Sequence, residues 1–168
     1  MKTCLVGCGG IAAVHGSVLT SGIDTEFVAA ADIKPEKAQT YAENFHTKPY
    51  PSLESMLEAE KPDVLHICTP HYLHVPMAIY SLERNINVFM EKPPAISFDQ
   101  LEELKKAAAK SDAQLGFCYQ NRYNASIRAA KDLIDSGKAG KVLGARAFVT
   151  WCRGAAYYTE SGWRGSLK

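Results

Sequence analysis

Short apolar runs alternate with amphipathic stretches from the first residues to Cys118. Cys4-Leu5-Val6 and the run 27–31 read as buried strands, and Ile11, Val14, Val18 and Leu19 between them recur at helical spacing. That spacing predicts a helix packed through this apolar face. Pro35 opens a second helix with Ala38, Tyr41, Ala42 and Phe45 inward. Pro49 and Pro51 read as breaks, and Ser52 as the cap of a short helix carrying Leu53, Met56 and Leu57. The runs 64–68, 87–90 and 115–118 give a third, fourth and fifth strand. Helices with Val75, Ala78, Ile79 and Leu82, and with Phe98, Leu101, Leu104 and Ala108, fall between them. Strands this apolar, alternating with helices, predict an α/β fold with a doubly wound parallel sheet covered on both faces.

The junction between the first strand and helix is Gly7-Cys8-Gly9-Gly10-Ile11-Ala12, and the second strand stops at Asp32. Strand, glycine turn, helix, strand and acid in this order form a dinucleotide-binding unit. Gly7 permits the tight turn, Gly9 lets a pyrophosphate approach the backbone, and Ala12 is the small residue where helix and strand pack closely. The free N–H groups of the new helix and its dipole face the phosphates. Asp32 stands where an acid bonds the ribose hydroxyls and repels a 2′-phosphate, while Lys34 could pair with that phosphate. NAD is therefore the expected cofactor, with NADP possible.

In an open parallel sheet, ligands lie beyond the carboxyl ends of the strands. The glycine turn, Asp32, Thr69-Pro70, Glu91-Lys92-Pro93 and Gln120-Asn121-Arg122 all follow strands and should converge on one edge. Lys92 is the candidate for chemistry, because oxidising a carbinol moves a hydroxyl proton that a lysine amine can carry. Glu91 could hold that lysine in place. His71 or His74, near a helix start, could contact cofactor or substrate. No third ligand accompanies His71-x-x-His74, so no metal is expected. His66 reads as a packed core residue, His15 and His46 as surface or boundary residues.

From Asn124 the pattern changes. Ile127, Ala130, Leu133 and Ile134 mark a helix stopped at Gly137, and 142–151 reads as the first strand of a second domain. The expected division is a Rossmann domain over 1–122 and the beginning of a truncated α+β domain over 123–168. A net charge of +1 with no basic run gives nucleic acid or an anionic membrane nothing to hold. Five cysteines without C-x-x-C spacing fit reduced, mostly buried thiols in the cytoplasm. With Met1 followed at once by a strand and no long apolar stretch, neither a signal peptide nor a membrane span is expected.

Together these residues resemble the glucose–fructose oxidoreductase/inositol dehydrogenase (Gfo/Idh/MocA) family. The marks are the glycine turn, Asp32, Cys68-Thr69-Pro70 with His74, Glu91-Lys92-Pro93, Asn121-Arg122-Tyr123, and Trp163-Arg164-Gly165. The resemblance implies an NAD- or NADP-dependent dehydrogenase acting on a sugar, polyol or related carbinol. It implies that Lys92 is the active-site lysine and that Gly9, Gly10, Ile11, Asp32, Thr69 and Glu91 line the cofactor. Trp163 and Arg164 would reach it from the second domain, which often serves oligomer contacts. The family's distal catalytic histidine is expected beyond Lys168, so this chain alone is expected to bind dinucleotide without turning over. The competing expectation is a non-catalytic dinucleotide sensor on the same fold. A flavin or S-adenosylmethionine protein shares the glycine turn, but Glu91-Lys92-Pro93 counts against it.

Overall fold

The computed structural model describes residues 1–22, 24–159 and 162–165; the last residues of the expected second domain, 166–168, lie outside the described residues. Two compact units divide the chain, Met1–Cys118 and Tyr119–Lys168. The first is a six-stranded sheet with all pairs parallel. Its elements in chain order are β1 (Lys2–Val6), α1 (Gly10–Leu19), β2 (Glu26–Ala31), α2 (Pro35–Phe45), β3 (Lys48–Tyr50), α3 (Leu53–Glu60), β4 (Val64–Ile67), α4 (His74–Leu82), β5 (Asn87–Glu91), α5 (Phe98–Lys110) and β6 (Leu115–Cys118). The strand order is β3-β2-β1-β4-β5-β6. The chain thus winds outward in one direction from β1 and then restarts beside it at β4. That reversal is the doubly wound arrangement, and it opens a crevice at the carboxyl ends of β1 and β4.

Side chains alternate along each strand, so the sheet feeds two cores. Cys4, Val6, Ala29, Ala31, Leu65, Ile67, Val88 and Met90 pack on one face with residues of α3, α4 and α5. Leu5, Ala30 and Cys68 pack on the other with Ala12 of α1 and Tyr41 of α2.

Three expectations are corrected within this unit. Lys48–Tyr50 is a strand although it contains Pro49. It pairs only with β2, at the sheet's edge, where a residue without an N–H leaves no ladder bond unmade. On α1 only Leu19 of the four large apolar residues is buried. Val14 and Val18 are more than half exposed, while Ala12, His15, Gly16 and Leu19 are buried. The helix lies too close to its neighbours for larger side chains: a Cβ on Gly16 would come within 2.6 Å of the Tyr41 hydroxyl and 2.7 Å of the Phe45 ring. Phe98, expected inward, is exposed at the first position of α5, and Leu104 is the buried residue of that helix.

The second unit carries a 3-10 turn, Gln120–Tyr123, then α6 (Ala125–Asp135) and α7 (Ala155–Thr159). The helix expected from Ile127, Ala130, Leu133 and Ile134 is α6. The run 142–151, expected as a strand, forms none. A strand is held by a paired neighbour, and among the described residues none pairs with this run; Leu143, Phe148, Val149 and Trp151 are exposed. The expected boundary at 122/123 falls inside the turn that opens this unit.

Candidate functional site

Because the strands are parallel, the segments that follow β1, β2, β4 and β5 leave the sheet at one edge. The glycine turn, Asp32, Thr69-Pro70 and Glu91-Lys92 are therefore brought together there. Gly7 has φ +92°, and its N–H donates to the Ala31 carbonyl at 2.8 Å. A Cβ here would lie 2.7 Å from the Thr69 nitrogen, so the protein's own packing requires glycine. Gly9 and Gly10 differ: a Cβ on either would meet nothing within 4 Å. Gly9 precedes α1 without a capping side chain, and the helix has no acidic residue in its first turn. The Ala12 N–H turns back to the Gly9 carbonyl at 3.1 Å, so the N–H groups before it, at Gly10 and Ile11, are the ones placed to take a phosphate.

Asp32 closes this turn from the side. Its Oδ2 accepts the Cys8 N–H at 2.9 Å, and its Oδ1 accepts the Lys34 N–H at 2.9 Å. Each carboxylate oxygen has capacity for a further hydrogen bond, such as one from a ribose hydroxyl. Lys34 itself is exposed at the cap of α2. The Thr69 Oγ1 is buried with no hydrogen-bond partner among the described residues. Pro70 caps the 3-10 turn His71–Leu73. An open groove between α1 and α2 touches the turn through Cys8 and Gly9, but Asp32, Thr69 and Lys92 do not line it.

His74 is fully buried. Its Nδ1 lies 2.8 Å from the Pro93 carbonyl oxygen and its Nε2 3.0 Å from that of Thr69. With both nitrogens turned to backbone carbonyls, His74 ties the end of β4 to the corner after Lys92. This is a scaffolding place beside the contact to cofactor or substrate expected from the sequence. His71 stands beside it with ring centroids 5.7 Å apart. Burial, His74 and Lys92 all hold the His71 pKa below its ordinary value.

Lys92 is exposed at the carboxyl end of β5 and precedes a cis bond to Pro93. Glu91 was expected to restrain the lysine side chain. Its carboxylate instead meets Lys92 only at the backbone N–H, through Oε2 at 3.3 Å, and turns inward, 5% exposed. Oε1 accepts from His15 Nε2 at 3.1 Å, and His15 Nδ1 lies 2.9 Å from His66 Nδ1. Burial would raise the Glu91 pKa, but hydrogen bonds from His15, the Cys118 thiol and the Lys92 N–H outweigh it and hold the group ionised. Burial and His15 push the His66 pKa down to about 4.

His15 is thus no surface residue, being 6% exposed, and His66, packed against Phe89, also joins a polar chain. Sequence reading passed over this chain because its members stand on three elements far apart in the sequence. Among the described residues, His15, Glu91 and Cys118 are the group whose ligand atoms, all within 4.8 Å of one another, could converge on a metal.

Asn121, Trp163 and Arg164 belong to the second unit. There the Asn121 Oδ1 accepts from Asn124 Nδ2 at 3.4 Å. The Arg164 guanidinium lies 4.2 Å above the Tyr157 ring and 5.6 Å from that of Trp163.

The geometry has counterparts. Residues 1–119 match the model of the Gfo/Idh/MocA family, described as an oxidoreductase family with an NAD-binding Rossmann fold. D-glucoside 3-dehydrogenase of Escherichia coli (strain K12) is 28% identical over 165 residues, covering 97% of this chain and 46% of that protein. The 2,7-anhydro-N-acetylneuraminate hydratase of Mediterraneibacter gnavus is 31% identical, covering 85% of this chain and 38% of that protein. Among solved structures, the WlbA dehydrogenase of Bordetella pertussis, in complex with NADH and UDP-GlcNAcA, superposes with a TM-score of 0.90 at 31% identity. It covers 98% of this chain and 52% of that one. The chain spans about half the length of the relatives it matches.

Proposed function

This chain belongs to the Gfo/Idh/MocA oxidoreductase family and carries its NAD-binding Rossmann domain; from that premise we propose that it is the cofactor-holding part of an NAD-dependent dehydrogenase of a sugar, polyol or related carbinol. The observation that carries the reading is the pairing of a bare, open glycine turn with Asp32 fixed across it.

The residues fit a dinucleotide. The N–H groups at Gly9, Gly10 and Ile11 would take the pyrophosphate and Asp32 the ribose hydroxyls, while the unpartnered Thr69 hydroxyl points to a further polar contact. Bound NAD supplies the hydride acceptor. Lys92, free of the inward pull of Glu91, takes the hydroxyl proton of the carbinol as its C–H bond breaks, and returns it in the reverse direction. His74 fixes the Pro93 carbonyl behind it. The substrate class rests on relatives named as D-glucoside, glucose-6-phosphate and inositol dehydrogenases. Homo-oligomerisation, a cytoplasmic location suited to five cysteines without disulfides, and secondary use of NADP complete the proposal. Among the described residues no helix is long and apolar enough to cross a membrane.

Calorimetry with NADH tests the binding part. Wild type should bind one equivalent, and Gly9→Val should weaken binding at least about tenfold by filling the space a phosphate needs. Turnover of the full-length protein, with NAD and a panel of D-glucosides, glucose 6-phosphate and inositols, tests the chemistry. Lys92→Ala should cost about 10²–10⁴-fold in kcat with little change in NADH affinity. No NADH binding by the wild type would overturn the reading.

A further inference from the structure

His15 and Glu91 stand 76 positions apart, one on the helix whose first turn faces the pyrophosphate space, the other on the strand that ends at Lys92. Resting on the dinucleotide reading above, we propose that His15 is a positioning residue that couples the seat of the pyrophosphate to the seat of Lys92 through the Glu91 carboxylate.

The contacts are directional. A carboxylate only accepts, so His15 donates through Nε2 to Oε1 of Glu91 at 3.1 Å. His15 Nδ1 lies 2.9 Å from His66 Nδ1, so one ring donates there and the other accepts. Oε2 of Glu91 accepts the Lys92 N–H. The relay therefore runs His66, His15, Glu91, Lys92 through contacts of 2.9, 3.1 and 3.3 Å. His15 and Glu91 are each less than a tenth exposed, so water competes little for these bonds. Phe89 packs beside both imidazoles, with ring centroids 6.0 Å from His15 and 5.1 Å from His66, and limits their rotation. A small movement of α1 as phosphate settles on its first turn is passed by His15 to the carboxylate, and by the carboxylate to the amide of the lysine. A structural chain of this kind carries coupling only if perturbing its middle breaks the link between its ends.

The test uses ADP-ribose, which fills the pyrophosphate and ribose seats but has no nicotinamide to touch Lys92 directly. The Lys92 amide resonance of ¹⁵N-labelled protein is followed as ADP-ribose is added. In the wild type the resonance should move with the same saturation curve as the glycine-turn amides. In His15→Ala the Lys92 response should be lost while the glycine-turn response remains. His15→Gln, which keeps a side-chain N–H donor, should restore part of it. Glu91→Gln, which keeps the shape but loses the charge, serves as the break in the chain should His15→Ala fail to fold, and should also abolish the Lys92 response. In full-length protein, His15→Ala should lower kcat more than it raises the KM for NAD. A Lys92 response that survives undiminished in His15→Ala or Glu91→Gln overturns the inference alone. An absence of ADP-ribose binding by the wild type overturns the dinucleotide reading and the inference with it.

Discussion

The Cys8 backbone N–H donates to Oδ2 of Asp32 at 2.9 Å, joining the glycine turn after β1 to the acid after β2. The acid is thereby fixed by the same turn whose Gly9 and Gly10 border open space, so the two halves of the proposed nucleotide seat are set by one bond. Asp32→Ser removes both the negative charge that opposes a 2′-phosphate and the paired acceptors for a ribose diol. The ratio of NADP to NAD affinity should rise about tenfold or more, equivalent to about 1.4 kcal/mol. Calorimetric titration of both cofactors measures it, and an unchanged ratio would show that Asp32 does not read the ribose.

Gly16 sets how closely α1 approaches α2. The Tyr41 hydroxyl donates to the Ala12 carbonyl at 2.7 Å and would be struck by a Gly16 Cβ. Gly16→Ala should gain up to about 1 kcal/mol in helix propensity but lose about 1–3 kcal/mol to overpacking against Tyr41 and Phe45. Urea denaturation should show net destabilisation, partly relieved by adding Tyr41→Phe. A more stable Gly16→Ala protein would mean the two helices separate without cost.

Glu60 is a buried carboxylate at the end of α3 that meets Tyr50 at 2.6 Å, Lys48 at 2.9 Å and Lys2 at 2.9 Å. Hydrogen bonds from Tyr50, Lys48 and Lys2 bring its pKa down to about 2. A carboxyl whose pKa is lower folded than unfolded adds stability above its unfolded value, near 4.3, and that stability is lost as pH falls toward the folded value. Glu60→Gln should therefore cost about 1–2 kcal/mol at pH 7, with both lysines still wetted by solvent. The difference from wild type should shrink steadily between pH 5 and about pH 2. Urea midpoints across that range measure it, and a constant difference would remove Glu60 from the acid response.

The five free thiols are unequal. Burial, aided by Glu60, pushes the Cys4 thiol up to about 12, and burial with Asp32 does the same for Cys8. Burial raises that of Cys68 further, whereas Cys152 is exposed. Since the thiolate is the reactive form, iodoacetamide at pH 8 should label Cys152 first and reach Cys4, Cys8 and Cys68 only on unfolding. Peptide mass mapping over time decides this, and early labelling of Cys8 would contradict its raised pKa.

The sheet and its cofactor edge were legible because strand, glycine turn, helix and acid are local and ordered along the chain. Gly7, Asp32 and Thr69 stand where that order placed them. What was not legible depends on approach distance or on partners remote in sequence. Of the large apolar residues on α1, Ile11, Val14 and Val18 pointed to the wrong face and Leu19 to the right one, since close packing there selects Ala12 and Gly16. Pro49 concealed an edge strand, because its missing donor matters only where a second neighbour would pair. His15 and His74 read as boundary or ligand residues, and only the folded chain shows each bonded to a residue flanking Lys92. The run 142–151 carried strand-like composition, yet composition supplies no neighbour to pair with.

The central place of β1 also bears on synthesis. Of the six strands, β1 is translated before the others and lies in the middle of the sheet, with β2 on one side and β4 on the other. Its second flank stays bare until the ribosome has released Val64–Ile67, well after the first crossover could have docked. During that interval Cys4, Leu5 and Val6 offer an apolar, half-paired strand to any chain nearby. A nascent polypeptide of this design depends on rapid closure of its second crossover, or on a chaperone, far more than one whose first strand lies at an edge.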